Sequence, residues 1–246
     1  MRDRGPVQVG EMTGSFLAAM PPQWRRAALG AEPLSDQDAA RAEQLDRQAA
    51  EDAIRDMRAR QAAFRQRAWD EALSRAARYR SASLAALKPQ QDPDGMVSGW
   101  LDQASPTLVL KGLTRRGKTY AAYAVGNEAR RRGIWVDAWR VTDLLRYLRP
   151  AELEDGRAAR VWEDATGADL LILDDLGKEK PTEWSVSQMN DLMDARGRNG
   201  RRTIATTNLE PAELLDAYGD AFVYRLAELA TIAPVAGELL VPDAPF

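Results

Sequence analysis

The sequence predicts an α/β fold: a parallel five-stranded sheet flanked by helices, preceded by a helical extension. Three observations carry this. Short apolar runs, TLVL (107–110), IWVDAW (134–139), LLIL (170–173) and TIATT (203–207), alternate with longer helix-like segments, the pattern of parallel strands joined by crossover helices. A further apolar stretch at Ala230–Val235 supplies the fifth strand. Residues 36–80 contain neither Gly nor Pro and so read as one long helix.

Taken in order, residues 1–35 are broken by Gly5, Gly10, Gly14, Pro21, Pro22, Gly30 and Pro33. They read as a flexible tail, with short helices at residues 16–20 and 24–29. Residues 36–82 form a charged helical arm. Ser35 or Asp36 caps its start, and Glu43/Arg47, Asp56/Arg60 and Glu71/Arg75 have the spacing that supports a helix. Leu45, Ile54, Met57, Phe64, Ala68, Leu73 and Ala76 make a thin apolar stripe, and the charge turns basic from Arg58 to Arg80. Three readings stay open for this arm: a solvated helix, a partner-binding arm, or a DNA contact. Residues 83–246 make the α/β core.

Composition excludes several chemistries. Cys and His are both absent, which removes disulfides, Cys/His zinc sites, thiol nucleophiles and Ser-His-Asp triads. The net charge of −3 gives no basic field over the whole chain, so a nucleic-acid contact would need a local patch. The first residues lack the apolar core of a signal peptide, and no run of about 18 apolar residues suggests a membrane span. The expectation is a cytoplasmic protein with no membrane contact.

The chemistry concentrates in Gly112-Leu113-Thr114-Arg115-Arg116-Gly117-Lys118-Thr119, which fits the phosphate-binding pattern G-x-x-x-x-G-K-[ST]. Its glycines let backbone N–H groups face an anion. Lys118 supplies charge to the β- and γ-phosphates, Thr119 a hydroxyl to Mg²⁺, and the helix that follows points its positive end at the same place. ATP and Mg²⁺ are the implied cofactors. A second signal is LLIL followed by Asp174 and Asp175. Ligands sit at the carboxyl ends of parallel strands, which places Asp174 near the metal and Asp175 near the attacking water. The third is TIATT followed by Asn208. Asn208 either hydrogen-bonds the γ-phosphate and the water or caps the helix that begins at Leu209-Glu210-Pro211.

This order of motifs resembles the P-loop ATPases of the AAA+ (ASCE) class. More narrowly it is similar to DnaC-type helicase loaders and IstB-type ATP-binding proteins. DDLGKEKPTEW (174–184), TIATTNL, VTDLLRYLR and YRLAEL carry the resemblance, which covers roughly residues 80–240. It implies that Asp175, Asn208 and Arg225 are catalytic, with Arg225 an arginine finger acting on ATP held by a neighbouring copy in a homo-oligomer. It implies single-stranded DNA along the assembly, with Arg140, Arg146 and Arg149 as candidate contacts beside Tyr147. Arg196 matches a recurrent family arginine without an assigned role. Two departures stand out. Arg115 occupies a position where the family has a third glycine, and the Gly-x-x-x-Arg pattern is broken at Val241.

The expected function is an ATPase that loads a replicative DNA helicase through its N-terminal arm, of phage or mobile-element origin. The alternatives are an IstB-like transposition helper, acting on duplex DNA with a transposase, and an adaptor with little turnover. A small-molecule kinase is disfavoured by the Asp-Asp and Thr-Thr-Asn strands.

Overall fold

The computed structural model describes residues 35–149 and 156–237. The expected tail before Ser35 and its two short helices lie outside the described residues, as do residues 238–246.

Helix α1 spans Asp36–Arg75. Ser35 is its cap, since the Asp38 amide donates to the Ser35 hydroxyl oxygen at 3.2 Å. Ion pairs form at Glu43–Arg47 (2.6 Å) and Glu71–Arg75 (3.5 Å). Such exposed pairs are worth only a few tenths of a kcal/mol each. The stronger anchor is apolar: Trp69, Ala72 and Leu73 are buried, whereas Leu45, Ile54 and Met57 are exposed. The boundary between two compact units accordingly falls between Gln61 and Ala62. Residues 62–82, expected in the arm, belong to the α/β unit, and Trp69, absent from the expected stripe, is their anchor.

Single-turn 3-10 helices (Ala77–Tyr79, Leu84–Ala86, Pro89–Gln91, Pro93–Gly95 and Trp100–Asp102) lead into the sheet. The Arg202 guanidinium holds the last of them. It donates to the carbonyls of Trp100 (2.7 Å) and Leu101 (3.0 Å) and lies 3.8 Å from the Trp100 ring centroid.

The sheet contains β1 (Thr107–Lys111), β2 (Val136–Arg140), β3 (Leu170–Leu176), β4 (Arg202–Thr207) and β5 (Thr231–Pro234). The order is β2-β3-β4-β1-β5, with every pairing parallel. The crossovers are α2 (Lys118–Arg131), α3 (Val141–Tyr147), α4 (Arg157–Gly167), α5 (Glu183–Arg198), α6 (Pro211–Tyr218) and α7 (Asp220–Ala227).

Strand side chains alternate between faces, and both faces are covered. Leu108, Leu110, Ile172 and Ile204 pack with α2 and with Trp69 and Leu73 of α1. Val109, Leu171, Leu173 and Ala205 pack on the other face with residues of α3, α5, α6 and α7. Two-sided burial is why these strands read as continuous apolar runs. The open edge at β2 is met by α1, where Arg75 donates to the Ala138 carbonyl at 3.0 Å.

Arg196 acquires a structural role. Fully buried, its guanidinium donates to the carbonyls of Ala165 (2.7 Å), Ala168 (3.0 Å) and Arg202 and to the Thr203 hydroxyl (3.1 Å). It ties the ends of α4 and α5 to the start of β4. Burial lowers its pKa, and these acceptors hold the charge in place of a direct carboxylate contact. Among the described residues no helix is long and apolar enough to cross a membrane.

Candidate functional site

The loop between β1 and α2 follows the fourth strand in the sheet order, and β3 and β4 end beside it. Gly112 is required by close approach, because a Cβ there would strike the Val235 carbonyl oxygen, whose own amide donates to Lys111 at 2.7 Å. Gly117 takes φ +93°, and a Cβ on it would strike the Gln91 side chain. Gln91 is buried and donates to the Arg116 carbonyl at 3.3 Å. The Arg116 guanidinium donates to the Gly237 carbonyl. Arg115 sits at φ 61°, the left-handed region that favours glycine. The position where the resembled family has a glycine therefore has the backbone that asks for one.

Lys118 is buried. Its ammonium donates to the carbonyls of Gly112 (2.8 Å) and Leu113 (2.8 Å) and to Asn208 Oδ1 (2.6 Å). Burial lowers its pKa, opposed by the charges of Asp175 and Asp174. The Thr119 hydroxyl donates to Asp174 Oδ1 at 2.8 Å, as does the Thr206 hydroxyl. Burial raises the Asp174 pKa, and those two hydrogen bonds oppose the rise.

Asp174 and Asp175 are neighbours that both reach the site, which a regular strand would forbid. The pairing of β3 with β4 slips between Leu173 and Leu176, and Asp175 takes φ 61°. This bulge re-aims the side chains. The Asp175 carboxylate lies 3.7 Å from Arg140 Nε and 3.5 Å from Lys178 Nζ.

A cavity of about 770 Å³ holds this chemistry, lined by Thr114–Tyr120, Arg140, Asp175, Lys178 and Asn208, and also by Arg78 and Tyr79. Asn208 is not the helix cap. That position belongs to Glu210, whose amide donates to the Glu213 carboxylate at 2.7 Å.

Arg140 faces Asp175 inside the cavity. Arg146 is exposed and pairs with Asp143 at 3.1 Å, and Arg149 is exposed. Tyr147 packs edge-on against Trp139 at 5.4 Å, so it is not a free stacking platform. Arg225 does not line the cavity of its own chain. It donates to the Ala221 carbonyl (3.0 Å) and to Asn190 (3.4 Å) and lies 3.7 Å from Asp194. Sequence reasoning missed Gln91, Arg78 and Tyr79, which lie in connecting turns without periodicity. Thr206 was visible as the second threonine of TIATT.

A phosphate-binding loop after β1, with an Asn at the end of the adjacent strand β4 and an Asp at the end of β3 one strand further on, defines an ATP-binding protein of the P-loop AAA+ class. The family described as IstB-like ATP binding protein matches residues 32–237, and the chain belongs to that family. A putative ATP-binding protein of insertion sequence IS1162 from Pseudomonas fluorescens is 36% identical over 110 residues, which is 45% of this chain and 46% of the relative. The replicative helicase loader DnaC of Escherichia coli is 24% identical over 121 residues, 49% of each. The chain spans about half the length of the curated relatives it matches. The crystal structure of the DnaC helicase loader superposes with a TM-score of 0.57 at 22% identity, covering 64% of this chain and 98% of that one. At that identity the likeness bears on the fold.

Proposed function

We propose that the chain is an ATP-hydrolysing switch acting on DNA beside an insertion-sequence recombinase. The observation that carries the ATPase reading is the convergence of Lys118, Thr119, Asp174 and Asn208 at the mouth of one cavity through direct hydrogen bonds. The donor set suits a nucleoside triphosphate with Mg²⁺: one buried ammonium, a hydroxyl beside a carboxylate, and a loop turned by glycines. Thr119 and Asp174 would hold Mg²⁺, which when bound would neutralise phosphate charge. Lys118 would give up Asn208 and the loop carbonyls for phosphate oxygens. Asp175 would orient the attacking water and Asn208 hold it against the terminal phosphate. Arg225, outside its own cavity, is available to the nucleotide of an adjoining copy, so assembly would complete the site.

The higher identity to insertion-sequence ATP-binding proteins favours the transposition setting. Helicase loading is the second reading, supported by the DnaC similarity. Steady-state ATP hydrolysis by the wild-type chain, Lys118→Ala, Asp175→Ala and Arg225→Ala tests the site. The expectation is loss of turnover in all three variants, with nucleotide binding kept in Arg225→Ala; equal rates in all four would sink the assignment. Binding to duplex and single-stranded DNA with ATP separates the two settings. A preference for single strands, with capture of a replicative helicase lost on deleting residues 36–61, would support loading instead.

A further inference from the structure

The nucleotide cavity has a wall that the motifs do not account for. Arg78 and Tyr79, from the 3-10 turn after α1, line it together with the phosphate loop. Their position is fixed from behind. Tyr79 stacks on Tyr123 of α2 (centroids 5.0 Å, planes 23° apart), and Tyr123 lies 5.8 Å from Trp69. Asn127 donates to the carbonyls of Ala82 (2.8 Å) and Tyr79 (3.3 Å) and accepts from the Trp69 indole (3.0 Å). The turn therefore cannot shift without disturbing the core.

Tyr79 also marks which end of the cavity this wall faces. Its phenol is held up by burial, opposed by the Arg78 charge. Arg78 and Tyr79 line a recess together with Asp174, whose carboxylate adds to the rise. Thr119 and Asp174 are joined at 2.8 Å and mark the end of the polyphosphate rather than the base. Beside them the Arg78 guanidinium carbon sits 4.7 Å from the Tyr79 ring centroid. Three other cations of the cavity are engaged: Arg140 and Lys178 face Asp175, and Arg116 holds Gly237. Arg78 has no carboxylate partner among the described residues.

Resting on the ATP-site reading above, we propose that Arg78 is a further nucleotide-binding residue, donating to the terminal phosphate of ATP bound by its own chain. Tyr79 is the positioning residue that orients Arg78 through its ring face. A planar guanidinium held on a ring face is well suited to a phosphate oxygen pair. Its place beside Thr119 makes it a discriminator of ATP from ADP.

The test is titration of the full chain with ATP and with ADP, each with Mg²⁺, for the wild type, Arg78→Ala, Arg78→Lys, Tyr79→Phe and Lys118→Ala, with circular dichroism to verify folding. Arg78→Ala is expected to weaken ATP at least tenfold and ADP less than twofold. Arg78→Lys should fall between, and it carries the test if the alanine variant misfolds. Tyr79→Phe keeps the ring under Arg78 and should bind ATP like the wild type. Unchanged ATP affinity in Arg78→Ala, or equal losses for ATP and ADP, would overturn the proposal. If Lys118→Ala binds both nucleotides like the wild type, it is the site reading that fails; if Lys118→Ala fails to bind while Arg78→Ala is normal, only the Arg78 assignment fails.

Discussion

Gly126→Ala tests whether the end of α1 is part of the core, because two effects of opposite sign meet there. Gly126 lies inside α2, where helix propensity alone favours Ala by about 1 kcal/mol. The added methyl would lie 2.7 Å from Trp69 Cη2 and 2.9 Å from Ile172 Cδ1, against a normal carbon contact of about 3.5–4.0 Å. Neither neighbour can move aside. Ile172 is fully buried in the sheet, and Trp69 is buried with its indole tied to Asn127. Overpacking of this kind costs about 1–3 kcal/mol. The balance is a loss of up to about 2 kcal/mol where propensity alone predicts a gain. Chemical denaturation followed by far-ultraviolet circular dichroism reads it. In a Trp69→Phe background the two Trp69 atoms nearest the new methyl are gone while the close approach to Ile172 Cδ1 remains, so the same substitution should cost less than in the wild type, a coupling of about 1 kcal/mol. Stabilisation by Gly126→Ala in the wild-type background, or strict additivity of the two changes, would refute the packing argument.

Three further outcomes follow from features of the site and core. Arg115→Gly relieves a left-handed residue and should raise thermal stability by about 0.5–1 kcal/mol, whereas Arg115→Ala keeps the Cβ and should not; similar behaviour of the two would count against backbone strain. The Asp174 pKa is raised in the fold, so its stabilising contribution is complete below the unfolded carboxylate range, about 3.9, and is lost as pH rises through the raised value. Unfolding of the nucleotide-free chain should therefore show Asp174→Asn gaining on the wild type as pH rises above about 4, and parallel curves would contradict it. Arg196→Met strands three carbonyls and a hydroxyl and should cost about 3 kcal/mol or more in denaturation, with Arg196→Lys unable to span all four acceptors and recovering only part.

The sheet was legible because each strand is buried on both faces. TLVL, LLIL and TIATT stand out against charged helices, and each was placed within a residue or two except where β3 runs on through its bulge to Leu176. The phosphate loop, Asp174 and Asn208 were legible for the same reason, since they sit immediately after recognisable strands. What escaped depends on long-range contact. Trp69 shares a helix with Leu45 and Met57, and periodicity cannot say which turns meet a sheet and which meet solvent. Gln91 braces Gly117 from a 3-10 turn whose sequence, PQQ, carries no signal. Arg196 read as a family arginine without a role because its four acceptors lie in two separate segments, the end of α4 and the start of β4. The DNA candidates were grouped by closeness in sequence, and the strand end at Arg140 turns that residue into the cavity while Arg146 and Arg149 stay outside.

The hydrogen bond from Arg75 to the Ala138 carbonyl has a consequence for how this chain can be cut. β2 ends the sheet, and an uncovered outer strand is a template for pairing with another chain. Arg75 occupies one acceptor on that edge, while its guanidinium lies 3.8 Å from the Trp139 ring centroid. A fragment beginning at residue 83 would keep every motif of the nucleotide site and yet present this strand bare, with the seat of Trp69 empty behind it. Such a fragment should associate through its strand edges, and a fragment beginning at Ala62 should not. The last turns of α1 thus act as a guard against self-association as much as an extension of the core.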